Sequence, residues 1–186
     1  RSTGDAAHSR TPPGTEIVYV RATRGHGINR RRGREILKTM SKKIMVLNGP
    51  NLNLLGTRQP DVYGEETLAD IEAACAGRGT ALGLDVDFRQ TNSEGEMVDA
   101  IQEAGAAHAG LVVNAGAYTH TSVAVLDALL ACEMPIIEVH LSNIYRRDDF
   151  RQHSFVSKAA LGSICGLGGH GYELALEALA RLLEDS

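Results

Sequence analysis

Residues 110–141 read GLVVNAGAYTHTSVAVLDALLACEMPIIEVHL, and the order of residue types in them decides the fold. A short apolar run from Gly110 to Asn114 gives way to a polar segment, after which Ser122 to Ala131 repeats apolar residues at helical spacing. A second apolar run follows, from Pro135 to Leu141. Runs this apolar read as strands buried on both faces, and two such strands joined through a helix form a parallel βαβ unit.

The same pattern extends in both directions. Strands are also predicted over Lys43 to Leu47, Asp85 to Gln90 and Leu161 to Cys165, and helices over Thr67 to Ala81, Glu94 to Ala104 and Tyr172 to Leu183. Ser93 and Glu96 have the spacing of a capping box, which fixes the start of the second helix. Five apolar strands alternating with helices predict one doubly wound α/β domain, a five-stranded parallel sheet with helices on both faces. Such sheets bind ligands beyond the carboxyl ends of their strands, so the chemistry is sought in the polar segments Asn48–Gly64, Asn114–Thr121 and His140–Arg151.

The chain has 186 residues, 43% of them hydrophobic and 23% charged, enough to bury the core of one ordinary domain. Residues 1–39 hold nine of the 19 Lys and Arg but three of the 23 Asp and Glu, a net +6, and the rest carries 10 basic and 20 acidic residues, a net −10. A domain of that sign repels phosphate backbones, which argues against nucleic acid and favours a small-molecule partner. No apolar run reaches the roughly 18 residues of a membrane span, so no membrane partner is expected. Cys75, Cys132 and Cys165 are odd in number, far apart and set among apolar residues, as reduced core cysteines are, and a reducing, cytoplasmic location is the expectation. Residues 1–39, rich in Gly, Pro, Thr, Ser and Arg and without periodicity, are predicted to be a disordered basic leader ahead of a catalytic domain over 40–186. The composition shift favours a start at Met40 over an organellar targeting segment, a reading that Asp5, Glu16 and Glu35 also weaken.

Four constellations could carry chemistry, each with a structural alternative. Glu138 and His140, two apart on a strand, point to the same side, where a carboxylate can fix the imidazole tautomer and make a general acid. A satisfied core pair is the alternative, and with His120 the two could imitate a metal triad, although no HxH, HxxxH or CxxC spacing supports a metal. Arg147 and Arg151, at i and i+4, would set like charges on one side of a helical turn for an anionic ligand to relieve, or else belong to a solvated charge run with Asp148 and Asp149. Between Gly49 and Gly64 runs GPNLNLLGTRQPDVYG, long for a compact domain and readable as a lid. In it Arg58 and Tyr63 are five apart: a guanidinium held against a phenol favours phenolate, hence a base, whereas a lone loop tyrosine is otherwise a packing anchor. Gly166-Leu-Gly-Gly-His-Gly171 fits GxGxxG, but that dinucleotide fingerprint belongs to the first βαβ unit of its fold, and this one follows the fifth strand; tight turns and close helix packing are the alternative. No GxSxG elbow and no P-loop occur, so hydrolase and NTPase readings recede.

Five segments taken together, LNGPNLNLLGTRQPDVYG (47–64), RQTNSEGEMVDAIQ (89–102), NAGAYTHTSVAVLDAL (114–129), IEVHLSNIYRRDDFRQHS (137–154) and GLGGHGY (166–172), closely resemble the type II 3-dehydroquinate dehydratases, over Lys43 to about Leu183. The resemblance implies a flavodoxin-like fold, no cofactor and no metal, and dehydration of 3-dehydroquinate to 3-dehydroshikimate in the shikimate or quinate pathway. It implies Tyr63 as the base that forms an enolate, Arg58 as the group that keeps this tyrosine ionised, and His140 as the acid for the departing hydroxyl. Glu138 is then the orienter of His140, and Asn51 its companion near the enolate. Substrate contacts carry over onto Asn114, His120, Leu141, Ser142 and Arg151, and Asp127 matches a residue that reaches a neighbouring subunit's site, in a homododecamer built of trimers. The residues themselves agree that Asp127, in mid-helix, should point outward. Lys42, Lys43 and Lys158 are the only lysines beyond Met40 and none is in a strand-end motif, which argues against an imine-forming route. A flavin or nucleotide binding module of the same fold is the competing reading. It would need a first loop rich in Ser, Thr and Gly rather than one with Asn51, Arg58 and Tyr63.

Overall fold

A computed structural model describes residues 41–56 and 66–184. Five strands, β1 (Lys42–Asn48), β2 (Leu84–Gln90), β3 (Gly110–Asn114), β4 (Ile136–His140) and β5 (Gly162–Cys165), form one sheet in the order β2-β1-β3-β4-β5, every neighbouring pair parallel. This is the flavodoxin-like order, and it confirms the predicted fold class. The helices are α1 (Leu68–Leu82), α2 (Glu94–Ala107), the single turn α3 (Tyr118–Thr121), α4 (Val123–Leu130) and α5 (His170–Glu184).

The central strands show why their sequences lack alternation. Ile44, Val46, Val112, Ile137 and Val139 face a core completed by Ile71 of α1 and by Tyr172, Leu176 and Leu179 of α5. The residues between them, Met45, Leu47, Leu111, Val113 and Ile136, face a second core with Met97 and Ile101 of α2 and Val125 and Leu129 of α4. Each fully buried aliphatic side chain contributes roughly 1.5–3 kcal/mol, so both faces must be apolar for the sheet to hold two helical layers. The edge strands are less covered than predicted: β5, read as a buried apolar run, has Gly162 and Ser163 exposed.

The second helix starts where Ser93 predicts, but only half of its capping box forms. Ser93 caps α2 by accepting from the Glu96 amide at 3.4 Å, but the Glu96 carboxylate bonds the Thr91 hydroxyl instead of reaching back to Ser93. The reciprocal box occurs at α1, where Thr67 Oγ1 accepts from the Asp70 amide at 3.2 Å and the Asp70 carboxylate accepts from the Thr67 amide at 3.0 Å. Arg147 and Arg151 do not share a helical turn either, because the chain there forms two separate 3-10 turns, Ile144–Arg146 and Asp149–Arg151. The expected leader over residues 1–39 lies outside the described residues.

Between β1 and β3 the strand order reverses, and the carboxyl ends of both strands open on the same crevice. Gly49 is required there. Its amide donates to Asn114 O at 2.8 Å, and a Cβ would stand 2.4 Å from Ala115 O.

Candidate active site

A cavity of about 260 Å³ occupies that crevice, walled by the ends of β1, β3 and β4 and by the segment that follows β4. Of the residues singled out from sequence, Asn51, Asn114, His120, His140, Leu141, Ser142 and Arg151 line it, together with Arg147. Leu52, Leu55 and Ile144 supply apolar wall. Glu138 is buried behind His140 and does not reach the cavity surface. Asp127 is exposed on α4 and outside this cavity. Arg58 and Tyr63 lie outside the described residues.

Each wall is fixed by its own chemistry. Asn51 takes the left-handed conformation, φ 67°, which asparagine tolerates better than most residues, and its amide donates to Asn92 Oδ1 at 2.9 Å. Asn114 is held at both ends of its amide: Oδ1 accepts from the Gly116 amide at 3.2 Å, and Nδ2 donates to the Tyr172 hydroxyl at 2.8 Å. That hydroxyl donates onward to Asn48 Oδ1 at 2.6 Å. Burial pushes the Tyr172 pKa up, so this phenol stays a neutral donor.

His120 stands on α3, its Nδ1 donating to the His153 carbonyl at 2.7 Å, which leaves Nε2 as the acceptor nitrogen of the neutral ring. Its ring stacks on that of His140, centroids 6.5 Å apart and planes at 11°. Burial lowers the His120 pKa, and the charges of His140, Arg151 and Arg147 push the same way against the opposing bond to the His153 carbonyl.

The predicted Glu138 and His140 pair is formed, with His140 Nε2 2.8 Å from Glu138 Oε1. A carboxylate accepts only, so Nε2 carries the hydrogen and Nδ1 is left for the cavity. Two serines complete the carboxylate: Ser154 Oγ donates to Oε1 and Ser163 Oγ to Oε2, both at 2.7 Å. Burial alone would raise the Glu138 pKa, but the bonds from His140, Ser154 and Ser163 outweigh it and hold the carboxyl below its ordinary value. Neither serine is singled out by sequence reasoning. The register that sets Ser163 opposite Glu138 across β4 and β5 is the only signal for one of them, and nothing local marks the other. Since both oxygens of Glu138 are taken, it is not turned outward with His120 toward a shared ion. Among the described residues no three His, Cys, Asp or Glu converge on a metal-sized space.

The Gly166–Gly171 turn takes its structural alternative. Gly166 and Gly168 have positive φ, and Gly169 donates its amide to Glu66 Oε2 at 3.0 Å. A dinucleotide phosphate would need that helix N-terminus, and the chain's own carboxylate fills it. The GxGxxG reading loses its footing here.

Comparison with known proteins agrees with this geometry. The family described as Dehydroquinase class II matches residues 42–180. A 3-dehydroquinate dehydratase of Methylobacterium radiotolerans is 58% identical over 143 residues, covering 77% of this chain and 96% of that one. The 3-dehydroquinate dehydratase 2 of Pseudomonas putida is 58% identical over 146 residues, covering 78% and 98%. Among solved structures, a type II dehydroquinase from Propionibacterium acnes superposes with a TM-score of 0.74 at 49% identity, covering 76% of this chain and 98% of that one. Because the match runs through every strand of the sheet and into α5, and these relatives are covered almost end to end, the chain belongs to the class II dehydroquinase family.

Proposed function

We propose that this protein dehydrates 3-dehydroquinate to 3-dehydroshikimate through an enolate, as a step of the shikimate pathway. The observation that carries the reading is the buried His140 and Glu138 pair, 2.8 Å apart, behind a cavity bordered by Arg147 and Arg151. A β-hydroxy ketone loses water when one group removes a proton next to the carbonyl, another protonates the departing hydroxyl, and a third holds the charge that builds between those events.

In this reading the phenolate of Tyr63, kept ionised by the guanidinium of Arg58, takes the proton from the carbon beside the ketone, and the electron pair passes into an enolate. Asn51 offers its side-chain amide to that oxyanion. The enolate collapses as the carbon–oxygen bond to the hydroxyl breaks, and protonated His140 supplies the hydrogen with which it leaves as water. Glu138 stabilises the imidazolium before transfer and keeps the ring oriented. The substrate carboxylate is met by backbone amides at Leu141 and Ser142 and by the charge of Arg151, while Asn114 and His120 hold ring hydroxyls. What supports the assignment is that Asn51, Asn114, His120, His140, Leu141, Ser142 and Arg151 border one cavity, with Glu138 bonded to His140 behind it.

The same reading takes the working form to be a homododecamer of trimers, with Asp127 entering a neighbouring subunit's site. Its support is the exposed position of Asp127 on α4, away from this chain's own cavity. A cytoplasmic location belongs to the reading as well, supported by free thiols at Cys75, Cys132 and Cys165. Mixing the purified protein with 3-dehydroquinate, without added metal or nucleotide, tests the activity. The ultraviolet absorbance of the conjugated enone should rise, and its failure to do so would refute the proposal.

A further inference from the structure

Three consecutive residues each bond a different part of the site. The His153 carbonyl accepts from His120 Nδ1 at 2.7 Å, the Ser154 hydroxyl donates to Glu138 Oε1 at 2.7 Å, and the Phe155 amide donates to Thr119 O at 2.8 Å. Ser154 Oγ also accepts from the Ser157 amide at 2.9 Å, which occupies a lone pair and aims the hydroxyl hydrogen at the carboxylate. The oxygen that Ser154 bonds is the one that accepts from His140 Nε2. Arg151, a wall of the cavity, is three residues upstream on the same segment. One hydroxyl therefore joins the carboxylate that aims the imidazole to the segment that carries Arg151, one of the two arginines bordering the cavity.

We propose that Ser154 is a positioning residue for the reaction: it holds Glu138 in register with His140 and ties the Arg151 segment to that pair. The inference rests on His140 being the acid. Ser163 bonds the same carboxylate from β5, but from an exposed position where water can take over from its hydroxyl. Ser154 is only 9% exposed, so its loss leaves Glu138 Oε1 with one donor fewer and removes the side-chain bond from this segment to β4. Serines that merely satisfied a buried carboxylate would affect folding stability and leave catalysis alone.

Steady-state kinetics on full-length variants separates these roles. Ser154→Ala should lower kcat by about tenfold and raise KM several-fold, since outer partners of a working histidine carry effects of that order. Ser163→Ala should lower kcat by no more than about threefold, and Ser154→Thr, which keeps the hydroxyl, should restore most of both constants. Should Ser154→Ala fail to fold, Ser154→Cys, close in volume and a weak donor, carries the same expectation. A folded Ser154→Ala or Ser154→Cys protein with kcat and KM within twofold of the parent overturns the inference, whatever its Tm. His140→Ala is measured alongside: retained kcat there would sink the acid assignment itself, whereas collapse of His140→Ala with silent Ser154 variants would sink only the role of Ser154.

Discussion

Tyr172, on α5, donates its phenolic hydrogen to Asn48 Oδ1 at the end of β1 across 2.6 Å, although 124 positions separate the two in sequence. Through the same oxygen it receives Asn114 Nδ2, so one buried phenol orients the amides that end both strands flanking the crevice. Tyr172→Phe would leave a buried acceptor and a buried donor without their partner. The expected loss is about 1–3 kcal/mol of unfolding free energy, with a higher KM as the Asn114 amide is freed. Denaturant unfolding and substrate titration check both, and an unchanged midpoint would mean that water replaces the hydroxyl.

The sheet is legible in the sequence because its central strands are covered on both faces, which forces Ile44 to Leu47 and Leu111 to Val113 to be apolar without a break. Predicted element ends fall within a few residues of those observed, the largest difference being the last turn of α2, which runs on to Ala107. His140 and Glu138 are legible because strand geometry alone places i and i+2 side by side. The supports are not. Ser154, Tyr172 and Glu66 act on residues 16, 124 and 103 positions away, distances at which no periodicity operates. Arg147 and Arg151 do border one cavity, but Arg147 stands just after one 3-10 turn and Arg151 ends the next, not on the shared helical face that their spacing suggested.

His140→Ala removes the proton donor while leaving the cavity's other polar groups in place. General acid catalysis contributes about 10²- to 10⁴-fold, so kcat should fall by that order with KM little changed. Glu138→Gln should cost less, because an amide oxygen still accepts from Nε2 but stabilises no imidazolium. Equal kcat for parent and His140→Ala would move the acid to another residue.

Acid should destabilise the fold in two stages. Both His120 and Glu138 have folded-state pKa values depressed below their ordinary 6.5 and 4.5, so the stability they contribute is complete above those values and is lost as pH falls through the folded-state ones. The Tm should be flat near neutrality, decline as pH drops below about 6.5, and decline further below about 4.5. His120→Gln should erase the first stage and leave the second. Calorimetry between about pH 4 and 8 would show it, and superimposable curves for variant and parent would refute the attribution to His120.

Deleting residues 1–39 should leave turnover and assembly as they are. The family match begins at residue 42, and all five strands and all the proposed site residues follow it. Loss of activity or a changed hydrodynamic size in the shortened protein would give residues 1–39 a role that their composition does not suggest.

Arg58 offers the sharpest test of the proposed base, because charge and geometry separate when lysine and methionine replace it. If the guanidinium holds Tyr63 as phenolate, lysine keeps the charge but loses the planar fork, and methionine loses both. Each pKa unit of lost phenolate stabilisation is about 1.4 kcal/mol, so the methionine variant should need a higher pH for half-maximal kcat/KM, displaced toward the ordinary phenol value near 10. Activity should then return as pH rises, with the lysine variant between it and the parent. Tyr63→Phe should recover at no pH, since the oxygen that takes the proton is gone. Measured from neutral to alkaline pH, identical profiles for the parent and both Arg58 variants would mean that this arginine holds the substrate or the loop and does not tune the phenol.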